Sequence, residues 1–286
     1  MTVQEAVLCG TGMLEEAAVP DPGNDARQLM LYLLGISLSG YISRIFETLE
    51  KTDEDAYFSL IRRRMQRVPL QHITGKADFY GFEFEVNSHV LIPRYDTETL
   101  VDAVLRDDHL TEGKDPGAMR LLDLCTGSGC IAAVLKKLGG FGLVMASDID
   151  PEALRIAKRN AQRLNAKVEF CRGDLFDALP ENQKEFDIIV SNPPYIAESE
   201  REDLQPEVRL FDPEIALFAP ENGLYFYRRI TEEAPEHLCA GGKLFFEIGA
   251  SQASDVEKLL IQHGFTEIRV FRDLAGMERV ITGKKA

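Results

Sequence analysis

The sequence predicts an α/β protein in which a mostly parallel sheet follows a small helical domain. Three observations carry this. From residue 119 onward, short apolar runs alternate with helical stretches, a pattern that needs a sheet covered on both faces. Residues 1–75 show helical spacing of apolar residues and no strand alternation. Between them, Phe79, Phe82, Phe84, Val86 and Val90 alternate with polar residues around Gly81. That alternation predicts a β-hairpin over residues 76–92 joining two domains, 1–75 and 93–286.

In the first domain, residues 25–34 carry Leu29, Leu33 and Leu34 at helical spacing and stop at Gly35. Residues 53–66 repeat the pattern with Tyr57, Leu60, Ile61 and Met65, and Pro69 lies just beyond. Arg62, Arg63, Arg64 and Arg67 form a basic cluster, either a solvated helix face or a contact for an acidic partner or RNA. After the hairpin, Ile92-Pro93-Arg94 leads into a helix over 97–106, and a polar loop with Gly and Pro spans 112–118.

Strands follow over 120–125, 143–147, 168–171, 186–191, 243–248, 265–272 and 279–282. Helices are expected over 131–138, from Asp150 to about 164, over 224–238 and over 254–263. Asp150 reads as an N-cap with Pro151 at the first helical position. Gly264 stops one of these helices and Gly276 turns the final hairpin.

Composition narrows the function classes. The net charge of −15, from 32 basic and 47 acidic residues, argues against a surface built to grip nucleic acid. An apolar fraction of 45% suffices for a packed core. No apolar run reaches the ~18 residues of a membrane span. The start of the chain lacks the cationic and apolar regions of a secretory leader, so a cytoplasmic location is expected. The five cysteines are odd in number and lack a Cys-x-x-Cys spacing, which predicts reduced thiols and no zinc or other metal site.

Candidate chemistry gathers at the carboxyl ends of strands, where open α/β sheets bind ligands. Asp123-Leu124-Cys125-Thr126-Gly127-Ser128-Gly129 joins the first sheet strand to its helix, and its glycines admit a ligand close to the backbone. Asp148, at the end of the next strand, suits the two hydroxyls of a ribose. Asp174 and Leu175 end the third strand, where an adenine fits. Together these make a nucleoside site for a nicotinamide dinucleotide or S-adenosyl-L-methionine. Asp123 suits a cationic amino acid better than a pyrophosphate, which favours the methyl donor.

The fourth strand runs into Ser191-Asn192-Pro193-Pro194-Tyr195. Two prolines end the strand and stiffen the loop. The stretch offers the amide of Asn192, the carbonyl of Pro193 and the ring of Tyr195, a grip for a planar group bearing NH2.

The Asp123–Gly129 turn resembles the first motif of class I S-adenosylmethionine-dependent methyltransferases. Asn192 to Tyr195 resembles the motif of enzymes that methylate amide or exocyclic amino nitrogens. The whole chain resembles the HemK/PrmC family, glutamine methyltransferases of peptide chain release factors. Further marks are Pro69 to Gly75, Phe79-Tyr80-Gly81, Leu91 to Arg94, Phe211-Asp212-Pro213 with Ala216-Leu217, Gly223-Leu224 with Tyr227-Arg228, and Glu247-Ile248-Gly249. The sequence departs from the family at Cys125, where Gly is usual, and at Ala219 to Asn222, a stretch usually richer in Gly.

The resemblance implies a Rossmann-like, seven-stranded sheet with its last strand antiparallel. It implies S-adenosyl-L-methionine as cofactor, held by Asp123, Cys125, Thr126, Gly127, Ser128, Gly129, Asp148, Asp174, Leu175 and Asn192. It implies the glutamine of a release factor's Gly-Gly-Gln loop as substrate, gripped by Asn192, Pro193, Pro194 and Tyr195. Asn192, Pro193 and Tyr195 would then be the catalytic groups, and the helical domain would dock the partner. Two other readings use the same residues: a nucleic-acid amino methyltransferase, which needs a basic groove for a flipped base, and a catalytically silent module that binds the ribosome or a release factor.

Overall fold

The computed structural model describes residues 1–107, 115–180 and 185–286. Residues 112–114 of the loop expected over 112–118 lie outside the described residues. Its remainder contains a short helical turn, Pro116–Ala118, capped by the carboxylate of Asp115. The chain divides into two compact units, one of residues Met1–Lys76 with Gln205–Phe211, the other of Ala77–Leu204 with Asp212–Ala286.

The first unit contains helices Val3–Glu16, Pro22–Leu34, Leu38–Arg44, Lys51–Met65 and Leu70–Thr74. Thr2 and Glu5 form a reciprocal capping box at the start of the first. Leu14, Leu29, Met30, Tyr57 and Ile61 fill its core, and the Tyr57 hydroxyl donates to the Ala26 carbonyl at 3.0 Å. Gly35, in the left-handed region at φ +61°, ends the second helix as its position suggests.

The basic cluster of this unit is only partly a solvated face. Arg64 is 5% exposed and donates to Asp25 at 2.7 Å and to Glu207 at 2.8 Å. Arg67 donates to both carboxylate oxygens of Glu207, at 2.8 and 2.6 Å. Helix Pro206–Phe211 thus joins the N-terminal helices through ion pairs that span over a hundred residues of sequence.

The second unit opens with the expected hairpin, β1 (Lys76–Phe79) and β2 (Phe82–Glu85), turning through Tyr80 and Gly81 at positive φ. The sheet strands are β3 (Arg120–Leu124), β4 (Leu143–Asp148), β5 (Glu169–Arg172), β6 (Phe186–Ser191), β7 (Leu238–Glu247), β8 (Phe265–Arg272) and β9 (Glu278–Lys285). Their spatial order is β5-β4-β3-β6-β7-β9-β8. The β3–β4, β4–β5, β3–β6 and β6–β7 pairs are parallel, and β9 runs antiparallel to both β7 and β8.

Neighbouring strand residues feed opposite faces. Ile188, Val190 and Phe245 join the core under helices Glu98–Leu105, Cys130–Gly139 and Pro151–Arg163. Ile189 and Phe246 join the core under helices Tyr225–His237 and Ala253–Gln262. Strand order reverses between β3 and β6, so the carboxyl ends of β3, β4, β5 and β6 surround one crevice.

Candidate active site

A cavity of about 290 Å³ occupies that crevice. The turn after β3 supplies Cys125, Thr126, Gly127 and Ser128 to its wall, β4 supplies Asp148, the end of β5 supplies Asp174 and Leu175, and the end of β6 supplies Asn192 and Pro194. Nine of the expected residues therefore line one cavity, while Asp123, Gly129, Pro193 and Tyr195 stand outside its wall.

Asp148 is shaped by the turn. Its carboxylate accepts the Gly127 N–H at 2.8 Å and the Asp150 N–H at 3.0 Å. A carboxylate has about four acceptor sites, so lone pairs remain for a ligand's hydroxyls. Burial raises its pKa, and these backbone donors oppose the rise.

Asp123 takes a different place from the one expected of a ligand to a cationic amino acid. It is fully buried, and one oxygen accepts the Thr126 hydroxyl at 2.5 Å. Burial pushes its carboxyl up to about 7. It stands outside the cavity wall, and its bond to Thr126 braces the turn.

The two glycines of the turn divide their tasks. Gly127 lies at φ +53°, and a Cβ there would meet nothing within 4 Å. Gly129 lies at φ +76°, and a Cβ there would stand 2.8 Å from the Cβ of Ala157. Gly129 therefore permits close packing of helix Pro151–Arg163, which accounts for its absence from the cavity wall. Cys125 holds φ +60°, a conformation that glycine adopts without strain, which gives the usual Gly at this position a physical reason. Burial pushes the Cys125 thiol well above its ordinary range.

At the end of β6, the Ser191 hydroxyl donates to the Leu124 carbonyl at 2.9 Å and ties this loop to the turn after β3. The Asn192 amide NH2 donates to the Thr97 hydroxyl at 3.4 Å, leaving its oxygen free to accept. Pro193 and Pro194 are buried. The Tyr195 ring packs in the second core, and its hydroxyl lies 3.4 Å from Glu247 at the end of β7. The ring expected to stack on a substrate lies against that core and outside the cavity wall. Burial raises Glu247 to about 7, with Thr97 and Arg279 opposing the rise.

Past Tyr195 the loop is pinned. The Ile196 N–H donates to Leu217 and its carbonyl accepts from Ala219, both at 2.9 Å. A Cβ on Gly223 would stand 2.1 Å from the Tyr195 carbonyl oxygen, so only glycine fits. Glu221 and Asn222, in the stretch that departs from the family pattern, both adopt positive φ.

Three contributors went unseen in the sequence reading. Thr97 orients the key amide. Arg229 donates to Asp174 at 2.8 Å, and both line the cavity. Asn160 donates to the Ser128 carbonyl at 2.9 Å and accepts the Glu85 N–H at 2.7 Å, clamping the turn to the hairpin. Asn160 had a legible signal: it is a polar residue on the apolar face of its helix, between Ala157 and Ala161. Among the described residues, no group of three or more His, Cys, Asp or Glu side chains could hold a metal, and no helix is long and apolar enough to cross a membrane.

The doubly wound sheet has counterparts in known structures. A methyltransferase from Pyrococcus furiosus superposes with a TM-score of 0.56 at 20% identity, covering 80% of this chain and all of that one. A T. thermophilus 16S rRNA methyltransferase, solved with AdoMet and guanosine, gives a TM-score of 0.51 at 18% identity, covering 74% of this chain and 50% of that one. The family model for the methyltransferase small domain matches residues 107–210, and that for the PrmC N-terminal domain matches residues 5–75. Fold and family matches define a class I methyltransferase. Three relatives are each called release factor glutamine methyltransferase. That of Clostridium acetobutylicum is 38% identical over 283 residues, 98% of each chain. That of Koribacter versatilis is 39% identical over 287 residues, 100% of this chain and 99% of its own, and that of Bacillus subtilis 38% over 283, 98% and 96%. The chain belongs to the release factor glutamine methyltransferase family.

Proposed function

We propose that this protein transfers a methyl group from S-adenosyl-L-methionine to the side-chain amide nitrogen of the glutamine in the Gly-Gly-Gln loop of peptide chain release factors. The carrying observation is Asn192, an amide with a free oxygen at the end of a central strand, opening on the same cavity as a nucleoside-type acid and a glycine turn. The residues present suit the cofactor. Asp148 keeps lone pairs for ribose hydroxyls, Leu175 offers an apolar face for a base beside Asp174, and Gly127 presents backbone without a side chain. When bound, S-adenosyl-L-methionine supplies the electrophilic methyl group.

An amide nitrogen is a poor nucleophile because its lone pair is delocalised into the carbonyl. Orientation is therefore the main service the protein provides. The Asn192 oxygen accepts one N–H of the substrate amide and the Pro193 carbonyl accepts the other. These acceptors also favour the positive charge that grows on nitrogen during transfer. Thr97 fixes which end of the Asn192 amide faces the substrate, and Tyr195, held by Glu247 and Gly223, keeps the loop from shifting. Residues 1–75 dock the release factor, and the protein works in the cytoplasm beside translation. Their match to a family-specific N-terminal model supports this, as does the absence of any cofactor motif.

The test is methyl transfer from labelled cofactor to a purified release factor, to DNA, and to buffer alone. Label is expected only in the release factor, and Asn192→Ala should lower single-turnover rate by roughly 10²–10³-fold in a folded protein. Near wild-type turnover in that variant, or label in DNA, would refute the reading. For the docking role, hydrogen exchange within residues 1–75 should slow when a release factor is added; no slowing there removes it.

A further inference from the structure

The turn joining β8 to β9 is ordered without being buried. The Asp273 N–H donates to the Met277 carbonyl and the Gly276 N–H to the Asp273 carbonyl, both at 2.9 Å. The Asp273 carboxylate accepts the Ala275 and Met277 N–H groups at 2.9 Å, and Arg272 donates to the Gly276 carbonyl at 2.8 Å. Arg279 adds two bonds to the same carboxylate at 3.3 Å. What this network displays is apolar. Leu274 is wholly exposed and Met277 is 48% exposed.

The turn is linked to the active site. The guanidinium of Arg279 that holds Asp273 also lies 3.2 Å from Asp96. Tyr95, 77% exposed, precedes Asp96, and Thr97, which holds Asn192, follows it. The Arg279 guanidinium therefore ties the turn that bears Leu274 and Met277 to the segment that bears Tyr95 and Thr97. Single exposed apolar residues are ordinary. Three of them, two on a turn whose ordering cost is already met by polar bonds, form a preorganised contact.

We propose that Tyr95, Leu274 and Met277 form the rim that binds the main chain of the protein substrate on either side of the reactive glutamine. The assignment rests on the function proposed above. The chemistry favours a protein loop over nucleic acid, because the acids beside the patch are already paired: Asp96 and Asp273 with Arg279, and Glu278 with Arg272. Three carboxylates against two guanidiniums leave a net negative charge beside the apolar residues, which disfavours a phosphate backbone. A glycine-rich loop exposes flat peptide planes, which pack on an aromatic ring such as Tyr95 without side-chain obstruction, and aromatic residues are frequent interface anchors.

The test is steady-state methylation of an intact release factor by full-length wild type and by the triple variant Tyr95→Ala, Leu274→Ser, Met277→Ser. The variant should raise KM for the release factor at least tenfold, with kcat within about threefold, and with calorimetric affinity for S-adenosylhomocysteine and thermal midpoint unchanged. Wild type that methylates the release factor alongside a variant with unchanged KM overturns the rim and leaves the functional reading standing. Wild type inactive on every release factor overturns both. A wild-type dimer by light scattering that the triple variant converts to monomer assigns the patch to a second copy and also overturns the proposal.

Discussion

The two glycines of the β3 turn give the sharpest test of how this site is built. Gly129→Ala places a methyl 2.8 Å from the Ala157 Cβ and 3.0 Å from its Cα, where carbon atoms settle at about 3.5–4.0 Å. It also forces an L-residue to φ +76°. The conformational cost is about 1–2 kcal/mol. Overpacking against a helix backbone adds about 1–3 kcal/mol. Gly129→Ala should therefore lose about 2–5 kcal/mol of stability. Gly127→Ala carries only the conformational cost, since its Cβ meets no atom, but it adds a methyl to the cavity wall. Urea unfolding reads the first effect, and calorimetry with S-adenosylhomocysteine reads the second. Gly127→Ala should lose only about 1–2 kcal/mol of stability and bind at least tenfold more weakly. The reasoning fails if Gly129→Ala is no less stable than Gly127→Ala, or if Gly127→Ala binds with wild-type affinity.

Asp148→Ala removes an acceptor for two hydroxyls, each bond contributing about 1.5–3 kcal/mol; calorimetry on the folded variant should show at least a tenfold loss, and unchanged affinity would remove Asp148 from the site. Thr97→Val frees the Asn192 amide to turn, so kcat should fall roughly 10- to 100-fold while Thr97→Ser retains activity; a Val variant at wild-type kcat refutes the orienting role. Arg64→Ala leaves Asp25 buried without its cation and should cost about 3–5 kcal/mol, with an unshifted urea midpoint as the contrary result. Burial raises Asp123 from 3.8 to about 7, so the folded protein holds a proton that the unfolded chain releases. The stability this contributes is complete below 3.8 and is lost as pH rises through about 7. Asp123→Asn should flatten that part of the stability–pH curve, and a curve that overlays wild type would show Asp123 to be ionised in the fold.

Several features of the site were legible because they are local. A strand followed by Gly-Ser-Gly, a strand ending in Asp148, and an apolar run stopped by Asn192 and two prolines each state their geometry within a few residues. Asp150 capping a helix that starts at Pro151 is the same kind of signal. Parallel strands joined by helices then bring those ends to one crevice, so spacing alone was enough to place Asp148, Asp174 and Asn192 together.

The tertiary structure decided everything that depends on partners distant in sequence. Gly127 and Gly129 look alike in the chain and separate only when Ala157 packs on one of them. Asp123 and Tyr195 read as ligand contacts because of their neighbours in sequence, and the fold sets both outside the cavity wall, one oxygen of Asp123 bonded to Thr126 and the Tyr195 hydroxyl near Glu247. Arg64 and Arg67 read as either a solvated face or a contact for an acidic partner or RNA, and the fold brings Glu207 of helix Pro206–Phe211 to both. Thr97 reaches Asn192 across 95 residues of chain. A local pattern records which face of an element is apolar. It does not record which side chain arrives from another element, because that is settled only when the cores close and each buried polar group must find its partner.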